Sequence, residues 1–370
     1  MAQTRPARPG DPVAAIDTPA LVLEMESFEA NLAWMADEAA RLGVALRPHA
    51  KSHKCAEIAR RQIAAGAVGV CVQKVSEAAA LVAEGIGDVL ICNELVRPAK
   101  IAELIRIGRT ARVTACVDDP QNVALIGRMA AEADAVVPLM VEVDVGQGRC
   151  GVAPGQATVD LAWAISTSPH LRFAGLHAYH GSAQHVRDAA ARRAMAEGAI
   201  SKADAARTAL ASAGILCPVI SGGGTGTFRH EGASCVYTEI QPGSYVFMDA
   251  DYQRNQWEEP PFRQSLYVLA GVMSRAVPGR VIVDAGLKAL SVDSGMPAVA
   301  DHPGLTFAKA SDEHGTLQVA AGQRVPALGE SIRLIPGHCD PTVNLYDWLV
   351  TTRGGVVEDV WPVTARGCLG

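Results

Sequence analysis

Short β-branched runs alternate with amphipathic helical stretches from Val44 to Met248. Strands that are separated by single helices pair in parallel, with right-handed crossovers. Eight such units in about 210 residues favour an α/β fold of the (β/α)8 TIM-type barrel class, although an open doubly wound sheet also fits the alternation. The predicted strands are Val44–Arg47, Val68–Val72, Asp88–Cys92, Arg112–Val117, Val137–Val145, Leu171–Tyr179, Cys217–Ser221 and Tyr237–Met248.

The pattern changes after about Pro260. Short alternating runs, broken by Gly and Pro and with no helical stretch between them, predict a second, antiparallel β domain. Ala20–Leu23 is also strand-like but precedes the first helix, so it fits either part of the chain. We predict a barrel domain over 24–260 and a C-terminal β domain over 261–370 that also includes residues 1–23. The alternating runs are Ser265–Ser274, Gly279–Asp284, Thr316–Val319 and Ser331–Ile335.

Composition excludes several classes of protein. Apolar residues make up 49% of the 370 residues and charged residues 19%, which excludes a disordered tail, a collagen and a disulfide-stapled mini-protein. The formal net charge of −6 argues against a surface for nucleic acid or anionic membrane. The longest apolar run, Val136–Val145, is far shorter than the ~18–20 residues that span a bilayer. No apolar stretch follows the basic start Met1–Pro12, so no signal peptide is predicted.

Nine cysteines are dispersed along the chain, and none forms a C-x-x-C pair. An odd, scattered set of this kind fits buried, reduced thiols better than a disulfide framework. We therefore predict a soluble, cytoplasmic protein that binds neither nucleic acid nor a membrane. The cysteines lie at positions 55, 71, 92, 116, 150, 217, 235, 339 and 368.

A basic segment, Arg-Pro-His-Ala-Lys-Ser-His-Lys, follows the first predicted barrel strand. Polar residues at the C-terminal ends of barrel strands are where such enzymes assemble their active sites. A lysine that is desolvated or lies beside other cations can lose its proton and act as a Schiff-base nucleophile. The neighbouring basic side chains would supply those cations around Lys51, although a solvated basic turn explains the same residues. These neighbours are Arg47, His49, His53 and Lys54.

Two glycine-rich loops follow the seventh and eighth predicted strands. Ser221–Thr227 carries three consecutive glycines beside hydroxyl side chains, and Gln241–Tyr245 again combines glycine with hydroxyls. Glycine lets the backbone turn its N–H groups toward an anion, and these two loops are the usual phosphate site of barrels. No Gly-Lys-Ser/Thr follows, which excludes a nucleotide P-loop. We predict a phosphate site here, against the alternative that both loops are ordinary turns.

Gly146–Gly151 matches G-x-G-x-x-G, the dinucleotide-binding pattern, but its context differs. The segment follows the fifth strand rather than the first, and no acidic residue ends a next strand about 20 residues on. Pro154 also separates it from the following helix. We therefore interpret the segment as a tight turn that directs Arg149 toward the barrel mouth.

Candidate proton carriers follow the sixth predicted strand. His177, His180 and His185 lie there with Tyr179, at the predicted rim of the barrel. Imidazole is the usual proton carrier at neutral pH. A single histidine would most often be structural, but this group indicates at least one functional side chain.

A candidate metal site lies in the predicted β domain, at His338-Cys339-Asp340. In an extended segment the two outer side chains share one face, because the strand period is two. One imidazole and one carboxylate suit Mn²⁺, Zn²⁺ or Mg²⁺, with coordination positions left for water or substrate. The H-x-D pattern alone is common, so it supports this hypothesis only weakly.

Together these segments resemble the fold-type III pyridoxal-phosphate enzymes, the alanine-racemase-like group. Within that group the chain resembles the D-threonine aldolase family most, close to 3-hydroxy-D-aspartate aldolase and D-serine dehydratase. The resemblance extends from Asp17-Thr18-Pro19-Ala20-Leu21-Val22 to His338-Cys339-Asp340, and Arg-Pro-His-Ala-Lys-x-His-Lys is its most specific motif. It implies pyridoxal 5'-phosphate as cofactor, a small-molecule D-amino-acid substrate and a homodimer.

The resemblance also implies a role for each candidate residue. Lys51 would bind the cofactor covalently, with Arg149 near its phenolic oxygen and His185 as the base. His338 and Asp340 would hold the divalent metal, for which Mn²⁺ is expected before Mg²⁺ or Zn²⁺. The cofactor-binding positions that match the family are Lys51, Gln73, Arg149, Tyr179, Gly223, Gly224, Thr225, Gly243, Ser244 and Tyr245.

The activity that the resemblance implies is cleavage of D-β-hydroxy-α-amino acids to glycine and an aldehyde. Related D-serine dehydratases place a cysteine where Asp340 stands, so this aspartate favours the aldolase. A 3-hydroxy-D-aspartate aldolase and a D-serine dehydratase remain alternatives. A non-catalytic cofactor carrier would be a single domain, which the second predicted domain contradicts. A nicotinamide dehydrogenase is a further alternative, and the motif Gly146–Gly151 is the one feature that would support it.

Overall fold

The computed structural model of the protein describes residues 5–257 and 262–370, and these form two sheets with helices around them. The strands are β1 (Ala20–Glu24), β2 (Ala45–Leu46), β3 (Val70–Val72), β4 (Asp88–Glu94), β5 (Arg112–Val117), β6 (Val137–Glu142), β7 (Leu171–His177), β8 (Ile220–Gly222), β9 (Glu239–Ile240), β10 (Leu266–Val277), β11 (Arg280–Val283), β12 (Ala298–Val299), β13 (Leu305–Ala310), β14 (Gly315–Val319), β15 (Ser331–Ile335), β16 (Trp348–Arg353) and β17 (Val356–Pro362). The helices are α1 (Met25–Leu42), α2 (Ala56–Ala64), α3 (Val75–Ala83), α4 (Pro98–Ile107), α5 (Pro120–Glu132), α6 (Gln156–Ser166), α7 (Ala189–Ser212), α8 (Phe228–Gly232), α9 (Ala250–Gln253) and α10 (Cys339–Val343).

Strands β2 to β9 form a parallel sheet in the order β2-β9-β8-β7-β6-β5-β4-β3. The segment after β2 closes this sheet onto β3, because His49 bridges Cys71 and the Cys71 N–H donates to the Pro48 carbonyl at 2.9 Å. The predicted (β/α)8 TIM-type barrel is therefore confirmed, and the open sheet is excluded. Closure brings the C-terminal ends of all eight strands to one rim.

Six of the eight barrel strands in the described residues are shorter than predicted, and β6 and β9 lose the most residues at this rim. β6 stops at Glu142, and the Asp144 carboxylate then accepts the N–H groups of Gly146 and Gly148 at 2.9 and 3.0 Å. The predicted strand Tyr237–Met248 contains only β9, since Pro242 has no N–H to donate to a neighbouring strand. The chain therefore leaves the sheet early and forms loops at the barrel mouth.

The second sheet has nine strands and is antiparallel apart from the parallel pair β1 and β16. Its main order is β13-β14-β11-β10-β1-β16-β17, with β15 added to β10 and β12 added to β15. The predicted antiparallel β region is confirmed, and Ala20–Leu23 lies within it, in β1. The predicted domain boundary at 260/261 lies outside the described residues. The sequence pattern missed α10, a short helix in this part of the chain.

Helix α1 connects the two sheets. Its buried residues recur at helical spacing, so they form one apolar face. That face packs with Ile240 of the barrel and with Leu266 and Leu334 of the second sheet in one continuous core. None of the helices in the two described ranges has the length and apolar character needed to cross a bilayer. The buried apolar residues on this face of α1 are Met25, Phe28, Leu32, Met35 and Ala39.

Candidate active site

A cavity of about 320 Å³ lies at the barrel rim, where the loops after the strands meet α9 and the start of α10. It collects polar side chains from five strand-to-helix connections of the barrel and from the second sheet domain. The lining residues are His49, Lys51, Gln147, Arg149, Tyr179, Gly181, Ser182, His185, Gly224, Thr225, Gln241, Gly243, Ser244, Tyr252, His338 and Asp340.

Most of the site residues predicted from the sequence line this cavity, and Gln73, Gly223 and Tyr245 do not. Gln73 lies behind His49, and its amide contacts the His49 Nε2 at 3.0 Å. Tyr245 is fully buried, and its hydroxyl accepts a hydrogen bond from Gln62 at 3.3 Å. These two side chains therefore support the walls of the cavity from outside.

Lys51 lies in a single 3-10 turn, Ala50–Ser52, directly after the first barrel strand. Its Nζ atom is 3.7 Å from the Oδ2 atom of Asp340. Burial acts to lower the pKa of Lys51, but the charges of Asp340 and Tyr179 outweigh burial, so the pKa lies above its ordinary value. The Lys51 amino group is therefore protonated, and the Asp340 carboxylate holds it in place.

The predicted cationic neighbourhood of Lys51 is wrong. Arg47 is neutralised by Glu239 and Asp88, at 2.9 and 2.7 Å. Lys54 is paired with Glu77 at 2.5 Å. His53 is fully buried, which lowers its pKa to about 4. These side chains stabilise the barrel wall, because buried charges require partners.

His185 forms a hydrogen-bonded pair with Asp251 of α9. The His185 Nδ1 lies 2.5 Å from the Asp251 Oδ2, and only 4% of the Asp251 side chain is exposed. Burial acts to raise the pKa of Asp251, but hydrogen bonds from Arg187, His185 and Arg254 lower it to about 2. Asp251 is therefore a fixed anion that keeps a proton on Nδ1, so that Nε2 is the nitrogen able to accept one.

His338 and Asp340 both line the cavity, although the prediction that they share an extended segment is wrong. His338 has extended backbone and precedes α10, whereas Asp340 lies in the first turn of that helix. The His338 Nδ1 contacts the Asp293 Oδ2 at 2.8 Å. This carboxylate orients the ring and leaves Nε2 for another ligand, as in carboxylate–histidine–metal sites.

The two glycine-rich loops meet at one end of the cavity, where Gly224, Thr225, Gly243 and Ser244 line it. The Thr225 hydroxyl is buried and has no hydrogen-bond partner within the described part of the chain. A side chain on Gly226 would place its Cβ 2.5 Å from the Gln184 carbonyl oxygen of the main chain, so this position of the loop requires glycine. An unpaired buried hydroxyl within one of two glycine-rich loops that line the same cavity is suited to an anion such as phosphate.

The Gly146–Gly151 segment is a turn, as interpreted from the sequence. The next helix, α6, begins only at Gln156, so no helix N-terminus faces a pyrophosphate there. Arg149 lines the cavity and lies 3.8 Å from Glu142 at the end of β6. The segment therefore carries a cation to the barrel mouth and does not form a dinucleotide site.

Behind the cavity, buried polar groups form a chain through the barrel interior. The His177 Nε2 contacts the Gln241 Oε1 at 3.2 Å, and the Gln241 amide donates to the Ser221 hydroxyl at 2.7 Å. Ser221 in turn donates to Glu239 at 2.5 Å. His177 therefore fixes the amide of Gln241, which lines the cavity, and does not reach the cavity itself.

Sequence reasoning missed several residues that shape the site. Asp251 and Tyr252 follow the eighth predicted strand directly, so the rule that located Lys51 also applied to them. Asp293 gave no such signal, because it lies in an irregular turn between β11 and β12. Only the packing of the second sheet brings Asp293 to His338.

Comparisons with known proteins add to this geometry. Residues 23–251 match the family model described as "Alanine racemase, N-terminal domain", and residues 265–352 match "Putative serine dehydratase domain". D-threonine aldolase of Arthrobacter sp. is 51% identical over 363 residues, which cover 98% of this chain and 96% of that protein. 3-hydroxy-D-aspartate aldolase of Paracoccus denitrificans is 44% identical, with 98% and 95% covered. The crystal structure of D-threonine aldolase from Filomicrobium marinum has a TM-score of 0.97 at 47% identity and covers 99% of this chain and 100% of that chain.

Proposed function

This chain belongs to the D-threonine aldolase family, and we propose that it is a lyase that cleaves D-β-hydroxy-α-amino acids to glycine and an aldehyde, with pyridoxal 5'-phosphate and a divalent metal. One observation carries the proposal: Lys51, His185 and the pair His338 and Asp340 line the same cavity. The cofactor supplies an electron sink for Cα–Cβ cleavage, and the metal polarises the substrate hydroxyl.

Lys51 is the residue that binds the cofactor covalently. The loops Gly223–Thr225 and Gly243–Tyr245 hold its phosphate, and the unpaired Thr225 hydroxyl supports this assignment. Arg149 and Tyr179 line the same cavity. They would contact the cofactor ring there, with Arg149 toward its phenolic oxygen. Gln73 contributes from behind, by fixing the ring of His49.

His338 and Asp340 hold the metal, for which Mn²⁺ is our first expectation and Mg²⁺ or Zn²⁺ the alternatives. His185 accepts the proton of the substrate β-hydroxyl on Nε2. As that oxygen loses its proton, it would form the carbonyl of the aldehyde while the Cα–Cβ bond breaks. The electron pair of that bond would pass to Cα, where the cofactor supplies the electron sink, and Cα would then take up a proton to give glycine. The Asp251 carboxylate, 2.5 Å away, stabilises the positive charge that His185 then carries.

We also propose a two-domain organisation, a cytoplasmic location and a homodimer. We assign residues 24–260 to the barrel domain and residues 261–370, with 1–23, to the C-terminal domain; the position of β1 between β10 and β16 supports this division. Nine free cysteines support a cytoplasmic location. The partner is a small D-amino acid rather than nucleic acid or a membrane, and the protein acts as a homodimer.

Product analysis tests the proposed reaction. The holoenzyme is incubated with D- and L-β-hydroxy amino acids, with and without Mn²⁺. We expect glycine and acetaldehyde from D-threonine, none from L-threonine, and loss of turnover after EDTA while the yellow colour of the cofactor remains. Pyruvate and ammonia from D-serine, without glycine from D-threonine, would indicate the dehydratase instead.

Borohydride reduction followed by peptide mapping tests the cofactor site. The label is expected on Lys51, and Lys51→Ala is expected to be colourless and inactive. Lys54 is the internal control, because it lies in the same segment but is paired with Glu77. A label on Lys54, or a wild-type protein that stays colourless with pyridoxal phosphate, would contradict the proposal.

A further inference from the structure

Arg254, at the end of α9, contacts both sides of the cavity. Its Nη2 atom donates to the Oδ1 atom of Asp251 and to the carbonyl of Ser294, each at 2.5 Å. Asp251 holds His185, and Ser294 is adjacent to Asp293, which holds His338. One guanidinium therefore connects the carboxylate behind the base with the loop behind the metal ligand.

The loop that Arg254 reaches, residues 291–295, is packed directly on the segment that carries the metal ligands. A Cβ on Gly337 would lie 2.0 Å from the Gly295 carbonyl, so the two backbones are as close as glycine permits. The Ser291 N–H also donates to the Thr342 hydroxyl at 3.1 Å, and that hydroxyl donates to the His338 carbonyl at 2.8 Å. A displacement of this loop would therefore move His338.

Hydrogen bonds also hold the backbone of α9, the helix that carries Asp251 behind the base His185. Asp249 accepts the N–H of Tyr252 and the N–H of Cys339, both at 2.9 Å, so one buried carboxylate caps α9 and holds the start of α10. The Ala250 N–H donates to the Pro336 carbonyl at 2.9 Å. These contacts fix the backbone of both elements, and Arg254 adds a side-chain connection from α9 to the loop 291–295.

We propose that Arg254 is a positioning residue that couples the base His185 to the metal ligand His338, by bridging Asp251 and the loop 291–295. The inference depends on the proposed function, since it needs a base and a metal in the same cavity. It predicts that a change at Arg254 weakens metal binding and also slows turnover that is measured with saturating metal.

Arg187 provides a matched control. It also donates to the Asp251 carboxylate, and its Nη1 contacts the Asp251 carbonyl at 2.6 Å and the Asn255 side chain at 2.7 Å. None of its hydrogen bonds within the described residues reaches the loop 291–295. Loss of Arg187 should therefore disturb the base without disturbing the metal.

The experiment compares Arg254→Met with Arg187→Met in holoenzyme that has been stripped of metal. The Kd for Mn²⁺ is measured by calorimetry, and kcat is measured at saturating Mn²⁺. We expect Arg254→Met to raise the Kd about tenfold and to lower kcat, as loss of an outer partner of a metal site does. Arg187→Met should lower kcat and leave the Kd within about twofold of wild type.

Two results would overturn the inference: an unchanged Kd in Arg254→Met, or an equal rise in both variants. If either methionine variant fails to fold, Arg254→Lys and Arg187→Lys replace them, because lysine lacks the guanidinium fork at both positions. Wild type and His338→Ala are titrated in parallel. Absence of Mn²⁺ binding by wild type would count against the proposed function, whereas binding by wild type with unchanged variants would count against Arg254 alone.

Discussion

Two imidazole–carboxylate pairs flank the cavity, and they have the same local geometry in different surroundings. The His185 Nδ1 lies 2.5 Å from Asp251, and the His338 Nδ1 lies 2.8 Å from Asp293. The Asp251 side chain is 4% exposed, whereas the Asp293 side chain is 51% exposed. Both carboxylates can orient an imidazole ring, but only Asp251 is also a buried charge.

The buried carboxylate also has charged hydrogen-bond donors, whereas the exposed carboxylate has neutral ones. Asp251 accepts hydrogen bonds from two guanidinium groups, whereas Asp293 accepts them from the hydroxyls of Ser291 and Ser294. A buried anion among fixed donors responds strongly to a new positive charge on its neighbour. An exposed carboxylate is screened by water, so it mainly sets which nitrogen of the ring is free.

The largest effect is expected for Asp251→Asn. An amide has nearly the shape of the carboxylate but cannot stabilise the charge that His185 acquires as a base. We expect kcat at saturating substrate and Mn²⁺ to fall about 10²- to 10⁴-fold, the range seen when a base loses its carboxylate partner. Asp188→Asn is the control, because Asp188 caps α7 nearby without lining the cavity. Turnover of Asp251→Asn within about twofold of wild type would show that His185 acts without this charge.

Asp293→Asn should give the opposite profile. The amide orients His338 less firmly and lowers the basicity of the ring, so we expect the Kd for Mn²⁺ to rise about 10- to 100-fold. Excess Mn²⁺ should restore most of the turnover in this variant, and it should restore none in Asp251→Asn. Calorimetric titration of the metal-free holoenzyme measures the first quantity, and rates at increasing Mn²⁺ measure the second. An unchanged Kd would remove Asp293 from the metal site.

The pH dependence of stability should also distinguish the two carboxylates. The pKa of Asp251 is lowered from 3.8 to about 2, with burial opposed by hydrogen bonds from Arg187, His185 and Arg254. A carboxyl whose pKa is depressed by folding stabilises the protein above its unfolded pKa and loses that contribution as the pH falls through the folded pKa. The free energy of unfolding of wild type should therefore fall by about 2 kcal/mol between pH ~4 and pH ~2 on account of this group.

Urea unfolding across that pH range, in wild type and in both variants, measures this contribution. The stability difference between wild type and Asp251→Asn should shrink as the pH falls. The difference for Asp293→Asn should change less, because water screens that carboxylate. Parallel pH profiles for wild type and Asp251→Asn would contradict the assignment.

The sequence predicted the scaffold of the site better than its electrostatics. The βα period located the barrel strands, and the rule that function lies at their C-terminal ends located Lys51, Tyr179 and His185. The same rule could not show which cations are neutralised, because Glu239 and Glu77 come from distant strands and helices. The expected cationic surroundings of Lys51 failed for this reason.

The side of the cavity that we propose for the metal was the least accessible to sequence reasoning. The H-x-D pattern predicted that the side chains of His338 and Asp340 lie together, and both line the cavity. The prediction assumed a strand period where a helix begins. The backbone turns there because Asp249, ninety residues earlier in the chain, accepts the Cys339 N–H. Asp293 and Arg254 are likewise brought to the site only by tertiary packing, which no local period encodes.

The smallest effect is expected for Ser291→Ala. The Ser291 hydroxyl donates to the Asp293 Oδ1 at 2.7 Å, and a hydrogen bond to a charged group contributes about 1.5–3 kcal/mol where water is excluded. Water can replace it at a half-exposed carboxylate, so we expect the Kd for Mn²⁺ to rise only about two- to fivefold. In the double variant with Asp293→Asn the serine should make little further difference, because its partner is already changed. Fully additive effects would instead show that the Ser291 hydroxyl acts independently of the Asp293 carboxylate, by accepting the Asp293 N–H at 3.4 Å and holding the loop 291–295.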